Sequence, residues 1–186
     1  MSPLQPRSGH LGLILPLCTS SATLGLSLFQ YPLFLSFLSP KKTNDKPHRI
    51  SGTPLSAFWF SFLTPAATLI SALTLTSAGA GFLASRWLNT HKTLETTEVG
   101  KWYLIGAGLS LGHIAFVPMV AGPIKRMVEG GRVGDSGKEV NEKEVEGRNE
   151  KEMMTWLFVH TLRTLVVDVP ALWCFAEGVA LSFWVI

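Results

Sequence analysis

Charged residues are scarce in this sequence. They make up 16% of the 186 residues, whereas 47% are hydrophobic, and a typical soluble domain is about a quarter charged. Together with a mean hydropathy of +0.29, this scarcity of charge argues against a soluble protein and predicts a membrane protein. The net charge of +3 is not organised as a basic stripe with interleaved aromatics, so we expect no nucleic-acid partner.

Cysteine is also rare, and most of the familiar catalytic motifs are missing. Cys18 and Cys174 both lie in apolar runs with no metal-ligand spacing, which predicts packed, reduced thiols rather than disulfides or nucleophiles. The sequence has no dinucleotide or P-loop glycine pattern and no H-E-x-x-H. The G-x-S-x-G spacing does occur, as GLSLG at 108–112, but it lies inside an apolar run where helix packing accounts for the glycines. The sequence therefore predicts no metal site and no cofactor of a familiar soluble-enzyme class.

Long apolar segments are what the sequence does contain. Crossing the hydrocarbon core takes about 20 apolar residues in a helix, and four segments are long enough: 10–38, 56–85, 102–122 and 156–186. We predict an all-α fold, a four-helix transmembrane bundle in a single integral membrane domain spanning 1–186. The first segment is longer than a signal-peptide core and has no clear cleavage site after it, so we expect it to be retained.

Basic residues are distributed unevenly around these segments. Residues 39–54 carry four Lys and Arg and residues 123–155 carry seven, whereas the opposite side carries four. The positive-inside rule then places the first and third connecting segments in the cytosol and both termini outside it.

One segment has the composition of a loop. Residues 129–152 are rich in glycine and charge and contain no aromatic side chain, so we predict a flexible, disordered cytosolic loop between the third and fourth helices. Its end suggests the start of the fourth helix, with Asn149 as N-cap and Glu152 completing a box-like pattern.

Three ionisable residues interrupt the apolar stretch "WLFVHTLRTLVVD", residues 156–168. At 100° per residue, Trp156, His160 and Arg163 fall within about 60° of one another, whereas Asp168 lies about 120° away. A helix from about 151 to 186 is about 50 Å long, which places this shared face near the cytosolic interface. Two interpretations stay open: His160 and Arg163 anchor the helix to lipid headgroups, or they form a functional site.

Two further ionisable residues lie deeper in their segments. Glu177 is near the middle of the last apolar run and His113 is near the middle of the third. An unpaired carboxylate at such depth would take up a proton, so we expect Glu177 to be neutral or to have a partner. By its depth, His113 is the candidate partner. The pair is either a structural hydrogen bond between helices or part of a cavity with tuned acid–base groups.

Four stretches in order resemble one known family. They are "SATLGLSLFQYPLF" (21–34), "PLSAFWFSFLTPAATLISALTLTSAG" (54–79), "FVPMVAGPIKRM" (116–127) and "WLFVHTLR" (156–163). Together they resemble the anthrone oxygenase-like family of small fungal integral membrane proteins, over most of the chain. In the third stretch Gly-Pro-Ile stands where the family often has Pro-Thr-Asn.

The resemblance implies a function. Characterised members oxidise anthrones to anthraquinones in polyketide secondary metabolism, using molecular oxygen and no recognised cofactor. By that resemblance the chain is an oxidoreductase, a cofactor-independent monooxygenase of an endomembrane such as the endoplasmic reticulum. Its expected partners are the lipid bilayer, a hydrophobic aromatic small molecule, oxygen and enzymes of a polyketide pathway.

The residues suit that chemistry. Such a site needs an apolar pocket, a base and a donor for the developing oxyanion. We expect His160 to be the base and Arg163 the oxyanion partner, with Trp156, His113, Glu177 and Asp168 as substrate-binding residues. The alternative is a non-catalytic membrane protein, either a scaffold for soluble enzymes or a small-molecule carrier.

Overall fold

The computed structural model describes residues 9–38, 50–90, 94–132 and 141–185, and these are helical almost throughout. The elements are α1 (Gly9–Leu38), α2 (Gly52–Thr90), α3 (Leu94–Ala115), α4 (Val117–Arg132), α5 (Glu142–Arg163), a π-helix (Thr164–Asp168) and α6 (Val169–Val185). No strand occurs in these ranges.

Four helical stretches are long and apolar enough to cross a membrane: 11–38, 52–90, 94–129 and 142–184. The third joins α3 and α4, and the fourth joins α5, the π-helix and α6. Helices suit this setting because their backbone groups are satisfied within the segment. The predicted all-α class with four apolar helices is confirmed, and the chain is of the integral membrane type.

Large apolar side chains lie exposed along these helices, which fits contact with lipid. Phe29 is 68% exposed, Leu83 64% and Trp173 63%. Many other large apolar side chains are exposed as well, and a bilayer solvates such side chains.

The predicted loop at 129–152 is wrong in most of its length. Helix α4 continues to Arg132 and α5 begins at Glu142, while residues 133–140 lie outside the described residues. Within α5, Val145, Asn149 and Met153 recur every four residues and are buried, so they form one packed face. That tertiary packing outweighs the loop-like composition.

The break between α3 and α4 has a local cause. Phe116 is a turn residue that lies two positions before Pro118. Proline has no amide hydrogen and clashes with the carbonyl four residues earlier, here that of Ile114. The carbonyl of Phe116 accepts hydrogen bonds from the amides of Met119 (3.0 Å) and Val120 (3.3 Å), and α4 starts from there.

The chain divides into two compact units. The first comprises residues 1–24, 71–114 and 164–186, and the second comprises residues 25–70 and 115–163. In its described part, each unit draws one helical segment from each of the four spans.

The core of the first unit is built around Tyr103 and Phe175, which are fully buried. The Tyr103 hydroxyl donates to the carbonyl of Leu13 (3.1 Å) and lies 3.4 Å from Ser182 Oγ. Phe175 sits where Gly106 leaves room: a methyl group built on this glycine would come within 2.7 Å of the ring. Small residues thus allow close helix approach, as is usual in lipid.

The core of the second unit is aromatic. Phe34 stacks on Trp59 with ring centroids 4.9 Å apart and planes 9° from parallel, and its ring meets that of Trp156 edge-on at 4.7 Å. Aromatic pairs in such geometries are stabilising beyond the area they bury. This aromatic cluster adjoins the residues described in the next section.

Asn149 joins α5 to the start of α2. Its Nδ2 donates to the carbonyl of Gly52 (2.9 Å) and to Ser56 Oγ (3.0 Å), and the residue is fully buried. The predicted N-cap role is therefore wrong, because Asn149 lies two turns inside α5. Glu152 likewise accepts a two-pronged hydrogen bond from Arg126 of α4 (2.6 and 2.7 Å) rather than completing a capping box.

Candidate functional site

His160 is the most completely enclosed ionisable side chain of the predicted site. It has no exposed surface, and its ring is stacked on that of Trp156, with centroids 4.6 Å apart and planes 12° from parallel. These residues are four positions apart on α5, so their side chains lie one above the other. The Tyr31 ring of α1 is also close, with its centroid 5.0 Å from that of the imidazole and its plane tilted by 52°.

The hydrogen-bond partners of the His160 imidazole define which ring nitrogen carries its hydrogen. Nε2 lies 3.0 Å from the carbonyl oxygen of Ser27, and Nδ1 lies 2.9 Å from Arg163 Nη2. A carbonyl only accepts and a guanidinium only donates. The hydrogen of His160 is therefore on Nε2, while its Nδ1 lone pair accepts from Arg163.

Arg163 makes a second contact in the same place. Its Nη2 also donates to Ser27 Oγ (3.1 Å). Ser27 therefore accepts hydrogen bonds from both ionisable residues, from His160 at its carbonyl and from Arg163 at its hydroxyl. Arg163 is half-buried, whereas His160 is wholly enclosed by protein. His160 is therefore not an anchor that extends to lipid headgroups.

Tyr31 is held by its own hydrogen bonds. Its hydroxyl donates to Thr161 Oγ1 (2.9 Å), and Thr161 in turn donates to the carbonyl of Leu157 (2.8 Å). The result is an aromatic enclosure around a neutral imidazole, with a guanidinium on its basic nitrogen. We call Ser27, Tyr31, Trp156, His160 and Arg163 the His160 site.

The helix changes geometry directly after this site. Residues Thr164–Asp168 form a π-helix, a rare arrangement that is often found at functional positions. Pro170 supplies the physical cause, since it cannot donate to the carbonyl of Val166 and its ring clashes there. The wider turn accommodates that missing hydrogen bond.

The deeper predicted residues lie in the first unit. His113 Nδ1 is 2.8 Å from Asp168 Oδ1, and both side chains are about 95% buried. The partner that the structure gives His113 is thus Asp168, not Glu177. Glu177 is half-buried on α6.

Of the six predicted site residues, the structure brings together two groups. In the second unit His160 contacts both Trp156 and Arg163, and in the first unit His113 and Asp168 pair. Sequence reasoning missed Ser27 and Tyr31, because their contribution depends on which helices are neighbours. The only local signal was a polar, proline-terminated end of an apolar segment, "SLFQYP", at 27–32.

The described residues contain no group of three or more His, Cys, Asp or Glu placed to hold a metal ion. What the arrangement offers is an acid–base group and a cation beside aromatic surfaces. Such a set can accept a proton and stabilise an oxyanion.

The fold and this site define a helical integral membrane protein in which a buried histidine is hydrogen-bonded to a half-buried arginine. Comparison with protein-family models, with curated proteins and with solved structures finds no match to the chain.

Proposed function

We propose that this protein is a cofactor-independent monooxygenase that oxidises an anthrone-type aromatic polyketide to an anthraquinone. The observation that carries the proposal is the neutral His160 ring, stacked on Trp156 and close to Tyr31, with Arg163 on its basic nitrogen. The resemblance of "WLFVHTLR" to the anthrone oxygenase-like family supports the same activity.

The substrate supplies the driving force for this reaction. An anthrone has a CH2 group between two aromatic rings and conjugated to a carbonyl, so loss of one proton gives a delocalised enolate. The enolate donates electrons to O2 and forms a carbon–oxygen bond, and the resulting peroxide takes up a proton. Loss of the second CH2 proton then breaks the O–O bond, forms the new carbonyl and releases water. The substrate provides all four electrons, so no external reductant is needed.

His160 and Arg163 fit two roles in that sequence. In the structure, Arg163 Nη2 occupies the lone pair of His160 Nδ1. An enolate oxygen is a stronger acceptor for a guanidinium than a neutral imidazole is. When Arg163 turns to that oxygen, Nδ1 becomes available to take the proton, while Nε2–H stays on the Ser27 carbonyl and holds the ring in place.

The test is oxygen consumption with an anthrone in proteoliposomes, corrected for autoxidation. We expect His160→Gln to lower kcat at least 100-fold, because general-base catalysis typically contributes 10²–10⁴-fold. With ¹⁸O₂, one labelled oxygen should enter the quinone and the other should appear in water. Arg163→Lys should lower kcat less, since it keeps the charge but loses the planar donor geometry.

Phe158→Leu is the matched control, because Phe158 lies on the same helix and is 69% exposed. Its rate should equal that of the wild type. An unchanged rate in a folded His160→Gln protein would remove His160 from the mechanism, and absence of activity in the wild type would refute the proposed reaction.

Orientation and compartment form part of the proposal. We place residues 39–54 and 123–155 on the cytosolic side, both termini on the opposite side, and the protein in the endoplasmic reticulum or another endomembrane. The support is the excess of Lys and Arg in those segments. Cytosolic enzymes of a polyketide pathway would meet the protein on that face. Protease protection of terminal tags in sealed microsomes tests the orientation.

One observation favours a second candidate function, that of a small-molecule carrier. The first unit has an apolar groove of about 490 Å³ between α1 and α2, which is within the usual size range of small-molecule sites. Its lining residues are Gly12, Leu13, Leu15, Ala80, Leu83, Ala84, Arg86, Trp87 and Thr90. A carrier should bind an anthrone with no turnover, and Leu83→Trp should weaken that binding whereas His160→Gln should not.

A further inference from the structure

The first unit contains a small polar cavity inside the membrane-spanning helices. Seven of its eight lining residues have a polar side chain: Ser20, Thr23, Thr74, Ser77, Ser110, His113 and Asp168. The space open to a water-sized sphere is about 10 Å³. A single water molecule needs about 10 to 15 Å³ of such space and two to four polar partners.

One side chain at this cavity has an unmet hydrogen-bonding need. Thr74 is 2% exposed, and its Oγ1 has no hydrogen-bond partner among the described residues. Leaving a buried hydroxyl without a hydrogen-bond partner is unfavourable, so such groups in native proteins are usually paired with protein or with an ordered water. The neighbouring Ser77, by contrast, donates within the protein, to Thr19 Oγ1 (2.7 Å).

The His113–Asp168 pair supplies the acid–base chemistry of the same cavity. A carboxylate accepts, so the hydrogen on His113 Nδ1 points to Asp168 Oδ1 at 2.8 Å. In the neutral ring this leaves Nε2 as the acceptor. An imidazole oriented by a carboxylate through one nitrogen is suited to exchange a proton at the other. Ionisable groups inside a membrane span mark proton or ion sites by default.

We propose that this cavity binds one water molecule between the Thr74 hydroxyl and the His113–Asp168 pair, forming a buried proton-exchange site. The water accepts or donates at Thr74 Oγ1 and donates to His113 Nε2. Asp168 acts as the positioning residue that fixes the imidazole tautomer. This site belongs to the first unit and is independent of the reaction proposed at His160.

The experiment is infrared spectroscopy of the protein in lipid nanodiscs, comparing H₂¹⁶O with H₂¹⁸O. A single enclosed water should give a narrow O–H stretching band that shifts with the isotope. Thr74→Val should abolish this band, since it keeps the shape of the side chain and removes the hydroxyl. Thr76→Val is the matched control: Thr76 is two residues further along α2, exposed, and hydrogen-bonded to the carbonyl of Ala72. It should keep the band.

A second measurement tests the link to His113. With ¹⁵N-labelled histidine, assigned by His113→Gln, the Nε2 resonance should be that of a hydrogen-bonded acceptor, and it should shift in Thr74→Val but not in Thr76→Val. If Thr74→Val does not fold, Thr74→Ala and Thr74→Ser supply the same contrast. Three results would overturn the proposal. The first is the absence of the isotope-sensitive band in the wild type, and the second is a band that survives in Thr74→Val. The third is a His113 Nε2 resonance that does not shift in Thr74→Val. A band that disappears when NaCl replaces choline chloride would overturn it as well, since a sodium ion would then be the occupant.

Discussion

The helix contacts at Phe175 give a prediction whose size follows from the structure. A methyl group on Gly106 would lie 2.7 Å from Phe175 Cε1 and 3.0 Å from Cζ, well inside contact distance. Phe175 is fully buried, so its ring cannot swing away at low cost. Overpacking of this kind typically costs about 1 to 3 kcal/mol.

Gly108 is the natural control for Gly106→Ala. It lies on the same helix, it is exposed, and a methyl group there would meet no atom within 4 Å. Both substitutions gain the same helix propensity, about 1 kcal/mol. The difference between them therefore isolates the clash, and we expect Gly106→Ala to be less stable than Gly108→Ala by about 1 to 3 kcal/mol.

The assay is unfolding in mixed detergent micelles with increasing SDS, followed by circular dichroism. Phe175→Leu in the Gly106→Ala background should recover part of the loss, giving a coupling energy of at least about 0.5 kcal/mol in a double-mutant cycle. Equal stabilities of Gly106→Ala and Gly108→Ala would refute the close approach of α3 and α6 at this position.

Two further predictions concern buried side-chain hydrogen bonds, and a third concerns a backbone conformation. Asn149→Ala should destabilise the protein by about 1 to 3 kcal/mol, because it removes both hydrogen bonds to the start of α2; SDS unfolding measures this. Tyr103→Phe should cost about 0.5 to 1.5 kcal/mol through the lost bond to the carbonyl of Leu13, read as a lower melting temperature in detergent. Gly52→Ala should cost about 1 to 2 kcal/mol, because Gly52 has φ +59° and an added Cβ would also meet the Glu142 carboxylate; the same thermal assay shows whether Gly52→Asn, which tolerates this conformation better, is milder.

Hydropathy alone predicted the four apolar helices, because in lipid a long uncharged segment has few alternatives to a helix. The start of α5 was not predictable in this way. Residues 142–152 have the composition of a loop, and they are helical because Val145, Asn149 and Met153 pack in the second unit. That packing depends on residues far away in the sequence.

The candidate site was likewise predictable from the sequence only in part. The spacing of Trp156, His160 and Arg163 was enough to place them on one face, and in the structure His160 contacts both of the others; their catalytic roles stay a prediction. The contribution of Ser27 and Tyr31 could not be predicted, because the sequences of the apolar segments do not show which helices are neighbours. The pairing of His113 with Asp168 was hidden for that reason and also because the π-helix alters the angular position of Asp168.

The π-helix at Thr164–Asp168 has a consequence for how related sequences should align with this one. A π turn is closed by one residue more than an α turn, so it is equivalent to a single-residue insertion that leaves both flanking helices intact. Related sequences without a proline at the position of Pro170 should therefore align with a one-residue gap inside this segment. Deleting the exposed Leu165 together with Pro170→Ala should give a continuous α-helix through this segment.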